Sequence, residues 1–166
     1  FLSRRSTPMH SLRRSGLRML IALGAGAVHA LSFAPWNLPW LQLLALAVLF
    51  MLAAQTQRAR SPAAVGFAFG LGWFGIGVSW LYISMHVYGL MPAVIAGFAT
   101  AAFCAFLALY PALVLGVAQR IAPSPFLRLT MVLPATWTLS EWLRGTLFTG
   151  FPWLASGYAH TDGPLA

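Results

Sequence analysis

Met91-Pro-Ala-Val-Ile-Ala-Gly-Phe-Ala-Thr-Ala-Ala-Phe-Cys-Ala-Phe-Leu-Ala-Leu-Tyr-Pro-Ala-Leu-Val-Leu-Gly-Val117 contains no charged residue. The run is long and apolar enough to read as a membrane-spanning helix. Its surroundings have the same character. The 166 residues are 60% hydrophobic and 7% charged, with mean hydropathy +0.78, whereas a soluble domain carries about 25% charged residues. A soluble fold of this composition would lack the residues for a polar surface, so lipid is the expected solvent.

Four further apolar runs flank this one. Outward toward the N-terminus they cover about 63–82, 38–54 and 17–34, and toward the C-terminus about 127–143. The turn Pro35-Trp36-Asn37-Leu38-Pro39-Trp40 joins the first two; its prolines break helices and its tryptophans suit a headgroup layer. Residues 83–90 read as a continuation of the third run or an interfacial stretch. Pro111 is expected to kink the run at 91–117 and Pro134 falls inside the last one. Gly66, Gly70 and Gly77 share one helix face, and Ala93, Ala96, Ala99 and Ala102 suggest a second small-residue seam; such seams let helices pack closely in lipid. The fold expected is all-α: a bundle of about five transmembrane helices over 17–144, a basic cytoplasmic leader at 1–16, and a Gly/Pro/aromatic-rich extracytoplasmic tail at 145–166. Residues before Met9 read as a loose leader, with Met9 the expected start. The first apolar run has no clear signal-peptidase site after it and reads as a retained helix.

The net charge of +8 comes from ten arginines against two acids. The arginines lie in short clusters between apolar runs, not along a soluble face, so nucleic acid is not the expected partner. With alternating crossings, Arg4, Arg5, Arg13, Arg14, Arg18, Arg58, Arg60, Arg120 and Arg128 all fall on one side, and Arg144 alone on the other. Basic connections mark the cytoplasmic side, which puts the N-terminus inside and the tail outside.

Chemistry-bearing residues concentrate near that outer level. Glu141 lies about 14 residues into the last run, roughly 21 Å from its inner end, where a charged group needs a partner or a wet cavity. Arg144 is three residues on, the spacing of a same-face pair, and the simplest reading is a Glu141–Arg144 pair closing the helix. Trp80, Tyr82, Trp142, Phe148, Phe151, Trp153 and Tyr158 crowd the same level; an aromatic belt accounts for part of this, but not for the rigid Thr149-Gly150-Phe151-Pro152-Trp153 loop. The single cysteine, Cys104, lies in an apolar run and reads as a small buried hydrophobe. His29, His86 and His160 lack metal-ligand spacing, so neither metal nor cofactor is expected. No catalytic set emerges from these residues alone.

Several blocks, in order, carry a resemblance: Ala30-Leu31-Ser32-Phe33-Ala34-Pro35, Gly70-Leu71-Gly72-Trp73-Phe74-Gly75 with Ser79-Trp80-Leu81-Tyr82, Glu141-Trp142-Leu143-Arg144-Gly145, Thr149-Gly150-Phe151-Pro152-Trp153-Leu154, Gly157-Tyr158 and Asp162-Gly163-Pro164-Leu165. Together they resemble the N-terminal membrane region of bacterial apolipoprotein N-acyltransferase, from about Arg18 onward. The resemblance implies an enzyme family of the cytoplasmic membrane. It moves an acyl chain from a phospholipid donor to the N-terminal α-amino group of a diacylated lipoprotein, through a thioester on a nitrilase-like domain at the outer face. A Glu-Lys-Cys triad in that domain does the chemistry. None of the triad is matched here, so the expectation is a fragment inactive alone that supplies the floor of the site. Trp153 matches a family position tied to function; Glu141, Arg144, Phe151, Pro152, Trp80 and Tyr82 are further candidates for substrate binding. The alternative is a non-enzymatic membrane protein such as a small transporter or channel subunit, which would be expected to carry ionisable residues near mid-membrane; His29 is the nearest exception in these runs.

Overall fold

The computed structural model describes residues 8–55, 60–122 and 124–161, and every element among them is helical. In chain order these are α1 (Pro8–Ala30), α2 (Pro39–Ala54), α3 (Arg60–Gly77), the short α4 (Trp80–Ile83), α5 (Ala93–Ile121), the single turn α6 (Pro125–Leu127) and α7 (Leu133–Thr146). The expected all-α class is therefore observed. The Arg4–Arg5 part of the leader, Arg58 and the Asp162–Leu165 block lie outside the described residues.

Helix starts and stops follow the punctuation. Pro39 opens α2 in its first turn, where its missing N–H costs nothing. Ser124 caps α6 by accepting the Leu127 N–H at 3.2 Å. Two expected runs are broken rather than straight. The third ends at Gly77, then resumes as Trp80–Tyr88 bent by 49°, with a π-type turn over Ser84–Tyr88. The last is divided into α6, a π-type turn at Arg128–Val132 and α7. Pro134, at the head of α7, has no N–H to continue the ladder, and a π-type turn is a common way to absorb such a gap. Pro111, by contrast, sits inside a continuous α5.

By length and apolarity, Ala93–Ile121 is sufficient alone to cross a bilayer, with hydropathy 2.2 in its best window; Pro62–Gly77 with Trp80–Tyr88 qualifies if the bent pair is one span. Ser15–Ala30 and Pro39–Ala54 are apolar but shorter.

Helix α3 is the central element, packed along α1 on one side and α5 on the other. Glycines permit this. A Cβ on Gly66 would strike the Pro111 carbonyl, and one on Gly70 would come within 2.6 Å of the Ala108 Cα. On the opposite side, Gly26 and Gly72 interleave: a Cβ on either would strike the backbone carbonyl of Phe69 or Leu23 of the facing helix. The expected Gly66/Gly70 seam is thus a helix contact. The alanine seam is not: Ala96 is buried, but Ala93 and Ala102 are exposed. A three-residue spacing precesses about 60° per step, so positions nine apart face opposite ways. The buried face of α5 instead runs through Cys104, Leu107, Ala108, Pro111, Leu115 and Ala118.

The core is aromatic where α1 meets α3. His29, fully buried, lies 4.5 Å from the Trp73 ring centre and 5.3 Å from that of Phe69. Trp73 continues the stack to Trp137 of α7 at 5.9 Å and 13°. The α1–α2 turn, the ends of α3 and α7 and the start of α5 meet at one end of the bundle, called the upper end below.

Replacing Gly66 by Val is expected to lower unfolding free energy by about 2–3 kcal/mol through overpacking against Pro111. The same change at Gly24, which has nothing within 4 Å, is expected to cost less than about 0.5 kcal/mol. Denaturant titration in micelles measures both; equal losses would contradict the packing described.

Candidate functional site

The upper end is closed by a loop that doubles back over α7. After Thr146 the chain makes a 3-10 turn at Leu147–Thr149, and Phe148, Thr149 and Gly150 have φ of 53°, 74° and 84°. Three left-handed residues in succession are costly. At Gly150 a side chain is also sterically impossible, because a Cβ would strike the Gly145 carbonyl. This reversal is needed to return Phe151 to the helix end, where its N–H donates to the Arg144 carbonyl at 2.7 Å.

The Arg144 side chain completes the closure. Its Nη1 donates to the Phe151 carbonyl at 3.0 Å and to the Trp153 carbonyl. The guanidinium lies 5.7 Å from the Trp73 ring centre and 5.4 Å from that of Phe74, and the residue is only 2% exposed. A cation so buried needs such partners. Glu141, one turn earlier, faces the far side of the loop. Its Oε1 accepts from the Ser156 N–H at 2.8 Å, the Ser156 hydroxyl at 2.7 Å and the Trp137 indole at 3.2 Å. The pair expected from the i, i+3 spacing therefore does not close on itself among the described contacts. Each member holds a different part of the loop instead.

Between these anchors, Leu154 (φ 61°) drops into the core, 6% exposed, with its methyls over Gly77, where a Cβ would displace them. The break after α3 thus receives the loop. Trp153 remains half-exposed and meets half-exposed Trp80 edge-on, ring centres 5.7 Å apart. Phe151 packs on Phe103 of α5 at 5.0 Å. Pro152 is exposed at the loop's crest, its carbonyl accepting from Ala155 N–H at 3.1 Å.

Six of the seven candidate residues therefore converge: Glu141 and Arg144 as anchors, Phe151, Pro152 and Trp153 in the loop, and Trp80 beside it. Tyr82 does not join them. It packs on His86 at 5.4 Å, and His86 Nδ1 donates to the Met91 carbonyl at 2.8 Å. Cys104 is buried, its thiol directed to the Phe74 carbonyl at 3.4 Å. Trp137, Ser156 and Gln42 of α2 were not singled out by the sequence. The i, i+4 spacing of Trp137 and Glu141, and a lone amide in the apolar α2, are the signals that mark them. A separate groove of about 340 Å³ runs between α5 and α7, lined by Phe106, Leu113, Leu139, Leu143 and Phe148 among others. It is almost wholly apolar, and none of the seven candidates lines it.

In this charge-poor, all-helical chain the one buried guanidinium among the described residues holds an aromatic loop at the upper end. Residues 25–166 match the family described as the apolipoprotein N-acyltransferase N-terminal domain, and the chain belongs to that family. It is 55% identical over 155 residues to an apolipoprotein N-acyltransferase of Ralstonia nicotianae, covering 90% of this chain and 30% of the relative. It is 45% identical over 149 residues to one from Methylococcus capsulatus, covering 89% and 29%. With the enzyme of that name from Vibrio vulnificus it shares 39% over 163 residues, covering 98% and 31%. The chain thus spans about three tenths of the length of the curated relatives it matches.

Replacing Glu141 by Leu is expected to cost about 2–3 kcal/mol, since three donors lose their acceptor, while Glu141→Gln keeps an acceptor oxygen and costs about 1 kcal/mol or less. Unfolding titrations in micelles compare the two. Equal costs would show that the oxygen is not what the loop needs.

Proposed function

We propose that this chain is the membrane-embedded part of an apolipoprotein N-acyltransferase, with the Phe151–Ser156 loop forming the floor of the reaction site at the outer face of the cytoplasmic membrane. Five crossings, over about 17–34, 38–54, 63–82, 91–117 and 127–143, put the N-terminus inside and the loop outside. Support comes from the distribution of arginine. With alternating crossings, nine of the ten arginines fall on one side of the apolar runs, and the tenth, Arg144, is held inside the loop closure. Basic residues prefer the cytoplasmic side. The apolar part of α1, Ser15–Ala30, and α2 are short for spans, and in this reading snorkelling Arg18 and the Trp36 and Trp40 belt help them cross.

In this reading the partners are a phospholipid acyl donor and a diacylated lipoprotein whose N-terminal amine is acylated. The thioester chemistry is assigned in this reading to none of residues 1–166. What the chain supplies is a rigid, half-exposed aromatic platform, Trp153 against Trp80, at the level where lipid ester groups lie. Indole rings are suited to that level because they combine an apolar body with a polar edge. The observation that carries the proposal is the double hold of Arg144 on the Phe151 and Trp153 carbonyls. A loop that only shielded the helix end would not need three successive left-handed residues and a buried cation to aim one exposed indole.

The transporter alternative finds less support. The charged or imidazole side chains buried in the described bundle are His29, enclosed by aromatic rings, and Arg144, used by the loop; part-buried Glu141 is likewise held by the loop.

In the full-length protein, Trp153→Ala is expected to lower acyl transfer to apolipoprotein about tenfold or more, with membrane insertion unchanged. Trp142→Ala, at an exposed position outside the loop, is expected to stay within about twofold of wild type. Undiminished transfer by the Trp153 variant at equal expression would remove the platform from the site.

A further inference from the structure

Gln42 is the only amide or charged side chain in α2, and it is 3% exposed. A buried amide in an apolar helix is unfavourable unless both its ends find partners. Both do, and both partners lie in the segment after the platform. The Gln42 Nε2 donates to the Ser156 carbonyl at 3.2 Å. Its Oε1 accepts from His160 Nε2, which places the ring proton on that nitrogen. The amide therefore straddles the Ser156–His160 3-10 turn, gripping its first and last residues.

Ser156 is held from the other side as well, through its N–H and hydroxyl, by Glu141 of α7. It joins α2 to α7 through side chains of both helices. The platform loop is thus pinned at two points. Arg144 fixes its near end at Phe151 and Trp153; Gln42 and Glu141 together fix its far end at Ser156. The Trp153 side chain projects from the segment these pins hold, its indole half-exposed against Trp80.

We infer that Gln42 is a positioning residue for the Trp153 platform, acting through Ser156 and His160, and that it couples the α1–α2 hairpin to the reaction site. This rests on the role proposed above for the loop. Gln42 touches no part of the aromatic platform among its recorded hydrogen bonds, so its effect must pass through the turn. A buried amide that holds both ends of a turn limits the turn's opening, and loosening one pin widens the range of orientations open to the exposed indole between them. A misaimed platform lowers the rate of the bound complex more than it weakens binding.

The test uses the full-length protein in nanodiscs, with Gln42→Met as an apolar replacement of similar shape and His160→Ala as a milder variant at the half-buried end of the turn. Hydrogen exchange and steady-state acyl transfer are read on both. Gln42→Met is expected to speed amide exchange of residues 150–161 by about tenfold or more, leaving α3 and α5 unchanged, since loss of a buried hydrogen-bonded partner shifts local opening on that scale. The turnover rate should fall by a similar factor with KM within about twofold. His160→Ala should do the same to a lesser degree, and the double variant should be no worse than Gln42→Met alone, because both act on one turn. Unchanged exchange in both variants would overturn the inference. So would faster exchange with undiminished turnover, provided that Trp153→Ala lowers transfer in the same assay. If Trp153→Ala also leaves transfer intact, the loop's proposed function fails, and the positioning role fails with it.

Discussion

A guanidinium cut off from solvent draws polar groups of the protein to itself, and most of the upper end of this molecule follows from the two loop carbonyls that Arg144 Nη1 holds. Its buried Nη2 has no hydrogen-bond partner among the described residues. Its Nη1 takes two loop carbonyls and its plane lies near the rings of Trp73 and Phe74. The carbonyls can reach it only if the chain reverses immediately after α7, which requires left-handed backbone at Phe148, Thr149 and Gly150. Strain of this kind, of order 1–3 kcal/mol for each non-glycine residue, persists only where surrounding contacts over-determine it. The buried cation supplies that determination.

The helix bundle in turn sets where the cation can be. Glycine contacts bring α3 against α1 and α5 with backbones almost touching. This draws Trp73 inward, edge-on to His29 and stacked on Trp137, so that its ring lies under the Arg144 position. The end of α3 at Gly77 leaves the gap into which Leu154 inserts. A bulkier residue at position 77 would therefore disturb the loop without touching Arg144. Close helix packing, a buried cation and a strained loop form a sequence of dependence from core to surface. The exposed indole of Trp153 is its last member.

Much of this was legible in the sequence, though unevenly. The all-helical class followed from apolar runs with so few charges, and the Gly66/Gly70 contact followed from helical spacing. The Ala93-to-Ala102 seam failed because three-residue spacing rotates around a helix, and burial of α5 is decided further along by its fit to α3. The breaks at Val78–Ser79 and Arg128–Val132 were hidden because hydropathy continues through them. At the site, the Glu141-to-Arg144 block and the Gly150–Trp153 loop stood out as residues, but their relation did not. Spacing suggested that the two charges pair with each other. In the structure a loop closes between them, and each charge finds backbone groups that sequence distance conceals. Gln42 stands out as a lone amide in an apolar run, but its partners were hidden for the same reason, since they lie 114 and 118 residues away. Tyr82 was drawn in by proximity in sequence to Trp80, but the bend in the chain turns it toward His86 instead.

A Trp153 platform at the outer face requires the loop and the arginine-bearing connection to lie at opposite surfaces of the membrane. Gly157 tolerates a side chain, with nothing within 4 Å of a Cβ there, so single cysteines at positions 157 and 59, in a Cys104→Ala background, are suitable probes. In spheroplasts, a membrane-impermeant maleimide is predicted to label Gly157→Cys at once and Ala59→Cys only after permeabilisation. Labelling of position 59 from outside, with position 157 protected, would contradict the arrangement and remove the Trp153 platform from the external face.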